Sequence, residues 1–164
     1  MACVSELWLC RRLIHEGSTA TSLPAGLLKR MAKRYFIGQP GLHLFCGDLH
    51  IPYAVNVDIR PATKSDIIAT SQHLPFPDDT FRWSFSDPPY SDAWSEKIWA
   101  TGKVKLREVM AELVRVTAPG GLILWLDLRP WTWPRSLQTE AYIGVMAGPR
   151  RRIRLLHVLR KQML

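Results

Sequence analysis

A strand-like run from Phe81 to Ser86 ends against Asp87-Pro88-Pro89-Tyr90, and that tetrapeptide restricts the chain more than any other feature. Neither proline carries an N–H for a sheet ladder, so the run cannot continue as a central strand beyond Ser86. The two rings fix φ and restrict the residue before each, which makes the exit rigid and extended. Open α/β sheets place their ligands at the carboxyl ends of strands. The Asp87 carboxylate and the adjoining backbone carbonyls would stand there as fixed acceptors, with the ring of Tyr90 beside them. Two acceptors next to a flat ring suit a planar group that bears an amino group. The acceptors take its N–H bonds and the ring stacks on its face.

The flanking segments predict a sheet of that kind. Strands are expected at Leu42 to Cys46, Ala54 to Ile59, Asp66 to Thr70 and Phe81 to Ser86. An amphipathic helix is expected from Lys103 to Thr117, with Leu106, Val109, Met110, Leu113 and Val114 at helical spacing. Pro119-Gly120-Gly121 would stop that helix and launch a strand from Leu122 to Asp127. Two last strands, near 140–147 and 152–160, flank Gly148-Pro149-Arg150, which has the composition of a hairpin turn. Ahead of the strands, residues 5–15 and 25–36 read as helices. In the second, Leu27, Leu28, Met31 and Tyr35 share one face, and Lys29, Arg30, Lys33 and Arg34 line the other. The expected architecture is a single α/β domain over 1–164. It comprises a basic helical extension, 1–40, and a Rossmann-like core, 41–164, whose mostly parallel sheet is closed by an antiparallel C-terminal hairpin.

Composition narrows the class of protein. A chain of 164 residues, 47% apolar and 22% charged, supports one α/β domain with a real core. No apolar run approaches the ~20 residues that span a bilayer, and no long apolar leader precedes Arg11 and Arg12, so a cytoplasmic protein is expected. Cys3, Cys10 and Cys46 lack the spacing of a disulfide framework. A zinc site from Cys3, Cys10 and His15 is the weaker reading beside ordinary reduced thiols. The net charge of +8 is unevenly placed. Residues 1–40 hold six basic and two acidic side chains, residues 41–148 ten and twelve, and residues 149–164 six and none. Basic ends around a mildly acidic centre suit either a gripped polyanion or a solvated surface.

Asp87-Pro88-Pro89-Tyr90 is similar to the motif by which amino-methyltransferases of adenine N6 or cytosine N4 in DNA, and some guanine-N2 RNA methyltransferases, hold their target. Other segments resemble the same family in its order along the chain. Leu42-His43-Leu44-Phe45-Cys46-Gly47 looks like its cofactor motif, a strand ending in Phe-x-Gly. Val55-Asn56-Val57-Asp58-Ile59 looks like its second strand, and Leu74 to Phe81 is similar to the approach to the motif strand. Val114 to Leu122 resembles its helix-to-fifth-strand junction. The resemblance covers residues 42–127. It implies a Rossmann-like class I methyltransferase, similar to small phage or mobile-element members, with S-adenosyl-L-methionine as cofactor; His15, His43, His50, His73 and His157 show no metal-ligand spacing, so no metal is expected. It assigns substrate and catalytic roles to Asp87, Pro88, Pro89 and Tyr90. The cofactor would fall to Phe45, Cys46, Gly47, Asp48, Asp58, Ile59, Thr70 and Ser71.

The chain also departs from the family. Only Asp48 to Tyr53 follows Gly47 before the second strand, too short for the first crossover helix, which is therefore missing or replaced. One of the N-terminal helices is the candidate to cover that face. Where the family often has a carboxylate after the third strand, this chain has Ala69-Thr70-Ser71, whose hydroxyls accept without carrying charge. No target-recognition region is evident, so recognition is minimal, works by shape, or comes from a partner or a second copy in a homo-oligomer. Trp94, Trp99, Arg129, Trp131 and Trp133 are candidates to contact nucleic acid, against the alternative of rim packing. Arg152, Arg154 and Arg160 share parity and should project from one face. Methylation of adenine N6 in DNA is the expected activity. An RNA base methyltransferase, a small-molecule amine methyltransferase and a catalytically silent nucleic-acid-binding subunit are the alternatives.

Overall fold

Short runs of branched and aromatic residues, punctuated by proline and glycine, pair into one seven-stranded sheet in the computed structural model, which describes residues 27–36, 40–89, 96, 103–147 and 152–163. The strands are β1 (Gly41–Leu44), β2 (Ala54–Asp58), β3 (Ile67–Ile68), β4 (Phe81–Ser86), β5 (Thr117–Asp127), β6 (Leu137–Ala147) and β7 (Arg152–Lys161). Their order is β3-β2-β1-β4-β5-β7-β6. The first five are mutually parallel, and β7 runs antiparallel between β5 and β6. A parallel sheet closed by an antiparallel hairpin is thus what the chain forms. The expected turn at 148–150 and the helix at 5–15 lie outside the described residues.

Each face of the sheet carries its own core. On one, the helix α2 (Leu106–Val116) buries Val109, Met110, Leu113 and Val116 against Leu42, Leu44, Val57, Phe81, Ile123, Trp125 and Leu159. Burying a side chain of this size contributes about 1.5–3 kcal/mol, so this contact holds α2 in place. The helix starts later than its periodicity predicts, because Lys105 is still extended. On the other face, Trp83, Phe85, Leu122, Leu124, Leu126, Leu156 and Val158 pack with Met31. Met31 comes from α1 (Leu27–Met31), which continues as a π-helical turn over Ala32–Phe36. Leu27 and Tyr35 join Met31 against the sheet, while Arg30, Lys33 and Arg34 face solvent, as the amphipathic pattern predicts.

The link from β1 to β2 contains no helix, and a side chain does the work of one. Asn56 sits in β2, fully buried. Its Oδ1 accepts from the Ile51 N–H (2.9 Å), and its Nδ2 donates to the carbonyls of Ile51 and Ala54 (both 3.0 Å) and to Asp66 (2.8 Å). These bonds pin the short link against the sheet and seat Ile51 in the core beside Trp83 and Phe85. Gly41 opens β1 because a β-carbon there would fall 1.9 Å from the Trp83 ring.

One expectation is corrected. Pro119-Gly120-Gly121 does not separate α2 from β5. The strand begins at Thr117, directly after the helix, and pairs there with Phe81. The register then slips so that Trp83 meets Leu122, and Pro119-Gly120-Gly121 forms an irregularity inside the strand, with Gly120 at φ +74°. A residue without a β-carbon takes that left-handed conformation freely.

Candidate active site

The parallel strands β1, β2 and β4 deliver their carboxyl ends to one edge, where a cavity of about 100 Å³ opens. Phe45, Asp58, Ile59, Thr70, Ser71, Asp87 and Pro89 line it, so residues separated by more than forty positions meet at one place. Leu44, Val57, Ala69 and Val104 supply apolar wall between them. Apolar walls with a few convergent polar groups are the usual make-up of a small-molecule site. Of the other residues the sequence singles out, Cys46 and Pro88 are buried, Gly47 is half-buried and Asp48 is exposed; none of them lines the cavity. Burial raises the Cys46 thiol to about 12, and the neighbouring Asp58 adds to that, so it is an inert filler. Tyr90, Trp94 and Trp99 lie outside the described residues, as do Cys3, Cys10, His15 and Arg150.

The turn after β1 carries backbone tension at the cavity wall. Phe45 holds φ +56° and Gly47 φ +54°. A bulky residue in the left-handed region is an outlier that persists only where its surroundings dictate it. Here they do: Cys46 N–H bonds to the Val57 carbonyl (3.2 Å), Leu49 N–H to the Cys46 carbonyl (2.9 Å), and Gly47 N–H to Asp58 Oδ2 (2.9 Å). Strain of this kind was invisible in the sequence.

Asp58 is more heavily engaged than its position at the end of β2 suggests. Its Oδ1 accepts from the Arg60 backbone N–H and Nε, both at 3.0 Å, and its Oδ2 accepts from Arg60 Nη2 (3.2 Å) as well as from Gly47. Four bonds fill the acceptor positions of a carboxylate. Burial pushes this carboxyl up, but the Arg60 guanidinium, with the backbone bonds from Arg60 and Gly47, outweighs it and holds the group below the usual carboxylate range. Arg60 was missed in the sequence; two residues after the strand's terminal acid, it was the available signal.

Asp87 also has a cation beside it. Arg154, from the antiparallel strand β7, places Nη1 at 3.1 and 3.3 Å from the two carboxylate oxygens. The Arg154 side chain is only 5% exposed, so the charge is held inside the protein next to its counter-ion. Of the three arginines of shared parity, Arg154 therefore points at Asp87. Arg160 lies at the far end of β7 and bonds the Gly120 carbonyl (2.6 Å) and Glu140. The Arg152 side chain lies outside the described residues.

Beneath the site His43 is buried in β1, its Nδ1 3.0 Å from Asn56 Oδ1. An amide oxygen only accepts, so the proton is on Nδ1. Burial lowers the imidazole to about 4 despite that bond and the nearby Asp87 and Asp58, and the ring is neutral at pH 7. The tryptophans after β5 pack on one another rather than standing open. Trp131 donates Nε1–H to Asp127 (2.7 Å), stacks on Trp133 at 6.3 Å and carries the Arg129 guanidinium over its ring. Trp133 is edge-on to Trp125 and His157. Among the described residues no group of three or more His, Cys, Asp or Glu is placed to hold a metal.

No protein-family model and no curated protein matches the chain. Solved structures resemble it in fold. TrmN from Thermus thermophilus superposes with a TM-score of 0.60 at 19% identity, over 86% of this chain and 50% of its own, so the chain spans half the length of that protein. The N-methyltransferase NodS from Bradyrhizobium japonicum WM9 aligns at 0.55 and 14% identity, over 84% of this chain and 93% of its own. The cyclase SpnF aligns at 0.55 and 12%, over 84% and 80%. The likeness is one of architecture: the chain has the Rossmann-like fold of class I methyltransferases, a fold that also carries a cyclase.

Proposed function

We propose that the chain transfers a methyl group from S-adenosyl-L-methionine to an exocyclic amino group of a nucleobase, with adenine N6 in DNA as the first choice. The observation that carries this reading is the shared cavity, which Asp58 at the end of β2 and Asp87 with Pro89 at the end of β4 line together. The lining fits the cofactor's parts. Ile59 and Ala69 offer apolar surface for a purine, the Thr70 and Ser71 hydroxyls offer polar partners at its edge, and Asp58 is the acceptor for ribose hydroxyls. Arg60 would have to leave part of that carboxylate for the ribose to take it. The bound cofactor supplies a methyl group on a sulfonium, a good leaving group.

The remaining work belongs to the chain's own residues. An aromatic amine is a weak nucleophile because its lone pair is conjugated into the ring. Asp87 is assigned to accept one of its N–H bonds and the Pro88 carbonyl, which would have to open toward the cavity, the other; both favour a more tetrahedral, more nucleophilic nitrogen. The prolines keep these acceptors fixed, so most of the acceleration comes from positioning. Tyr90 is assigned to stack on the base. In duplex DNA the target base has to leave the stack to reach such a pocket. The N-methyltransferase among the structural neighbours supports nitrogen as the acceptor atom.

Asp87→Ala should lower methyl transfer by at least about 10²-fold, the scale of one lost transition-state contact, while sparing cofactor affinity. Asp87→Asn keeps one acceptor and should retain part of the activity. Tyr90→Phe should be mild and Tyr90→Ala severe. The assay is transfer of labelled methyl to mixed DNA and RNA followed by nucleoside analysis, which also separates the DNA reading from an RNA one. A second reading, a silent nucleic-acid-binding subunit, draws on the arginines that already engage Asp58 and Asp87. It prevails if the wild type binds cofactor yet methylates neither polymer, and Asp87→Ala binds nucleic acid equally well.

A further inference from the structure

At the opposite end of the strands from the cavity, three arginines from three distant parts of the chain meet in a shallow groove. Arg34 comes from the π-helical turn, Arg82 from the start of β4 and Arg160 from the end of β7, around the Gly120–Gly121 irregularity of β5 and beside Tyr35. Gathering like charges is unfavourable unless an anion compensates them. Arg160 has Glu140 as a partner. For Arg34 the contact is the face of Tyr35, at 5.4 Å, and Arg82 is exposed, with no carboxylate on its side chain among the described residues. Gly120 leaves open space where a side chain would stand. Guanidinium groups over an open backbone floor, with an aromatic ring at the side, fit phosphodiester oxygens and one stacked base.

We infer that this groove binds the sugar-phosphate backbone of a nucleic-acid strand, at a site separate from the pocket that receives the target base. Five positions along β4 and its exit separate Arg82 from Asp87, about 17 Å at ~3.3 Å per residue. That is roughly five nucleotides of duplex rise, so one strand can reach both places. The groove also brings together the two ends of the sequence where positive charge concentrates. The inference rests on nucleic acid being the partner, but not on methyl transfer.

The test is binding of fluorescent twenty-nucleotide oligo-dT and oligo-U by the whole chain, without cofactor, over a salt series. The wild type should bind both with a steep dependence of log K on log salt. Arg34→Gln/Arg82→Gln should flatten that slope by about 1.4, two contacts at ~0.7 each on a single strand, whereas Arg34→Lys/Arg82→Lys should keep it. Equal melting temperatures of the two variants separate a lost contact from a lost fold. An unchanged slope in the glutamine variant, equal flattening in both variants, or no binding of either polymer by the wild type overturns the inference. Because no methyl transfer is measured, a groove that fails here leaves the pocket's chemistry standing, and an inactive pocket leaves the groove standing.

Discussion

Asp58 accepts from Gly47 and Arg60 at once, and a ribose diol would compete with that guanidinium for the same lone pairs. Two substitutions separate the roles. Asp58→Ala removes the acceptor and should weaken S-adenosylmethionine binding by about 1.5–3 kcal/mol, the worth of hydrogen bonds to a charged group. Arg60→Met removes the competitor and should tighten binding by up to about fivefold, since a partly exposed ion pair is worth about 1 kcal/mol or less. Arg60 also lowers the Asp58 pKa, so in Arg60→Met the carboxyl should protonate, and binding fall off, at a higher pH than in the wild type. Calorimetric titration across pH 4 to 8 reads both effects. Weaker binding in Arg60→Met would make the guanidinium a ligand contact rather than a competitor.

Strand β1 and the link that follows it depend on polar residues in a place where a crossover helix would have supplied apolar ones. His43 and Asn56 are buried together under Ile51, and the imidazole resists protonation down to about 4. In the unfolded chain the same ring titrates near 6.5. The unfolded state therefore binds the extra proton between those values, and this contribution to stability is whole above pH 6.5 and declines as pH falls toward 4. The slope has an upper limit of about 1.4 kcal/mol per pH unit. His43→Gln, which keeps a donor toward Asn56, should remove up to one proton from the pH dependence of unfolding measured by urea titration between pH 7 and 4.5. An identical slope in the variant would mean that His43 takes up its proton in the folded protein as readily as in the unfolded chain.

For the molecule as a whole, a ligand that binds only the folded state stabilises it by mass action. At a hundred times its dissociation constant, S-adenosylmethionine should add about 2.7 kcal/mol. For a domain of this size that is a rise in Tm of roughly 5–10 °C. S-adenosylhomocysteine, which keeps the adenosine, should act similarly, and Asp58→Ala should need more of either ligand for the same shift. No shift at millimolar cofactor would remove the methyltransferase reading while leaving the fold unaffected, since the same architecture carries a cyclase.

Most of the sheet was legible along the chain because strand residues obey local rules. Phe81 to Ser86 alternates aromatic with polar residues and Pro88-Pro89 must end it, and the interval from Gly47 to Ala54 is too short for a helix however it packs. The site positions were legible to the same depth: Asp58 and Asp87 each end a strand, and parallel pairing carries both ends to one edge. What those carboxylates touch was not legible. Arg154 reaches Asp87 across 67 positions through an antiparallel strand inserted beside β5, and no local pattern encodes that pairing. Asn56 read as an ordinary strand residue until burial under the short link forced its amide to satisfy the backbone there. The start of β5 likewise followed from Phe81 pairing with Thr117, which outweighed the turn signal of Pro119-Gly120-Gly121. Periodicity and turn chemistry act over a few residues, so the sequence could specify the elements and their ends. Charge pairing, burial of polar groups and register depend on which surfaces meet, and that was decided only when the sheet closed.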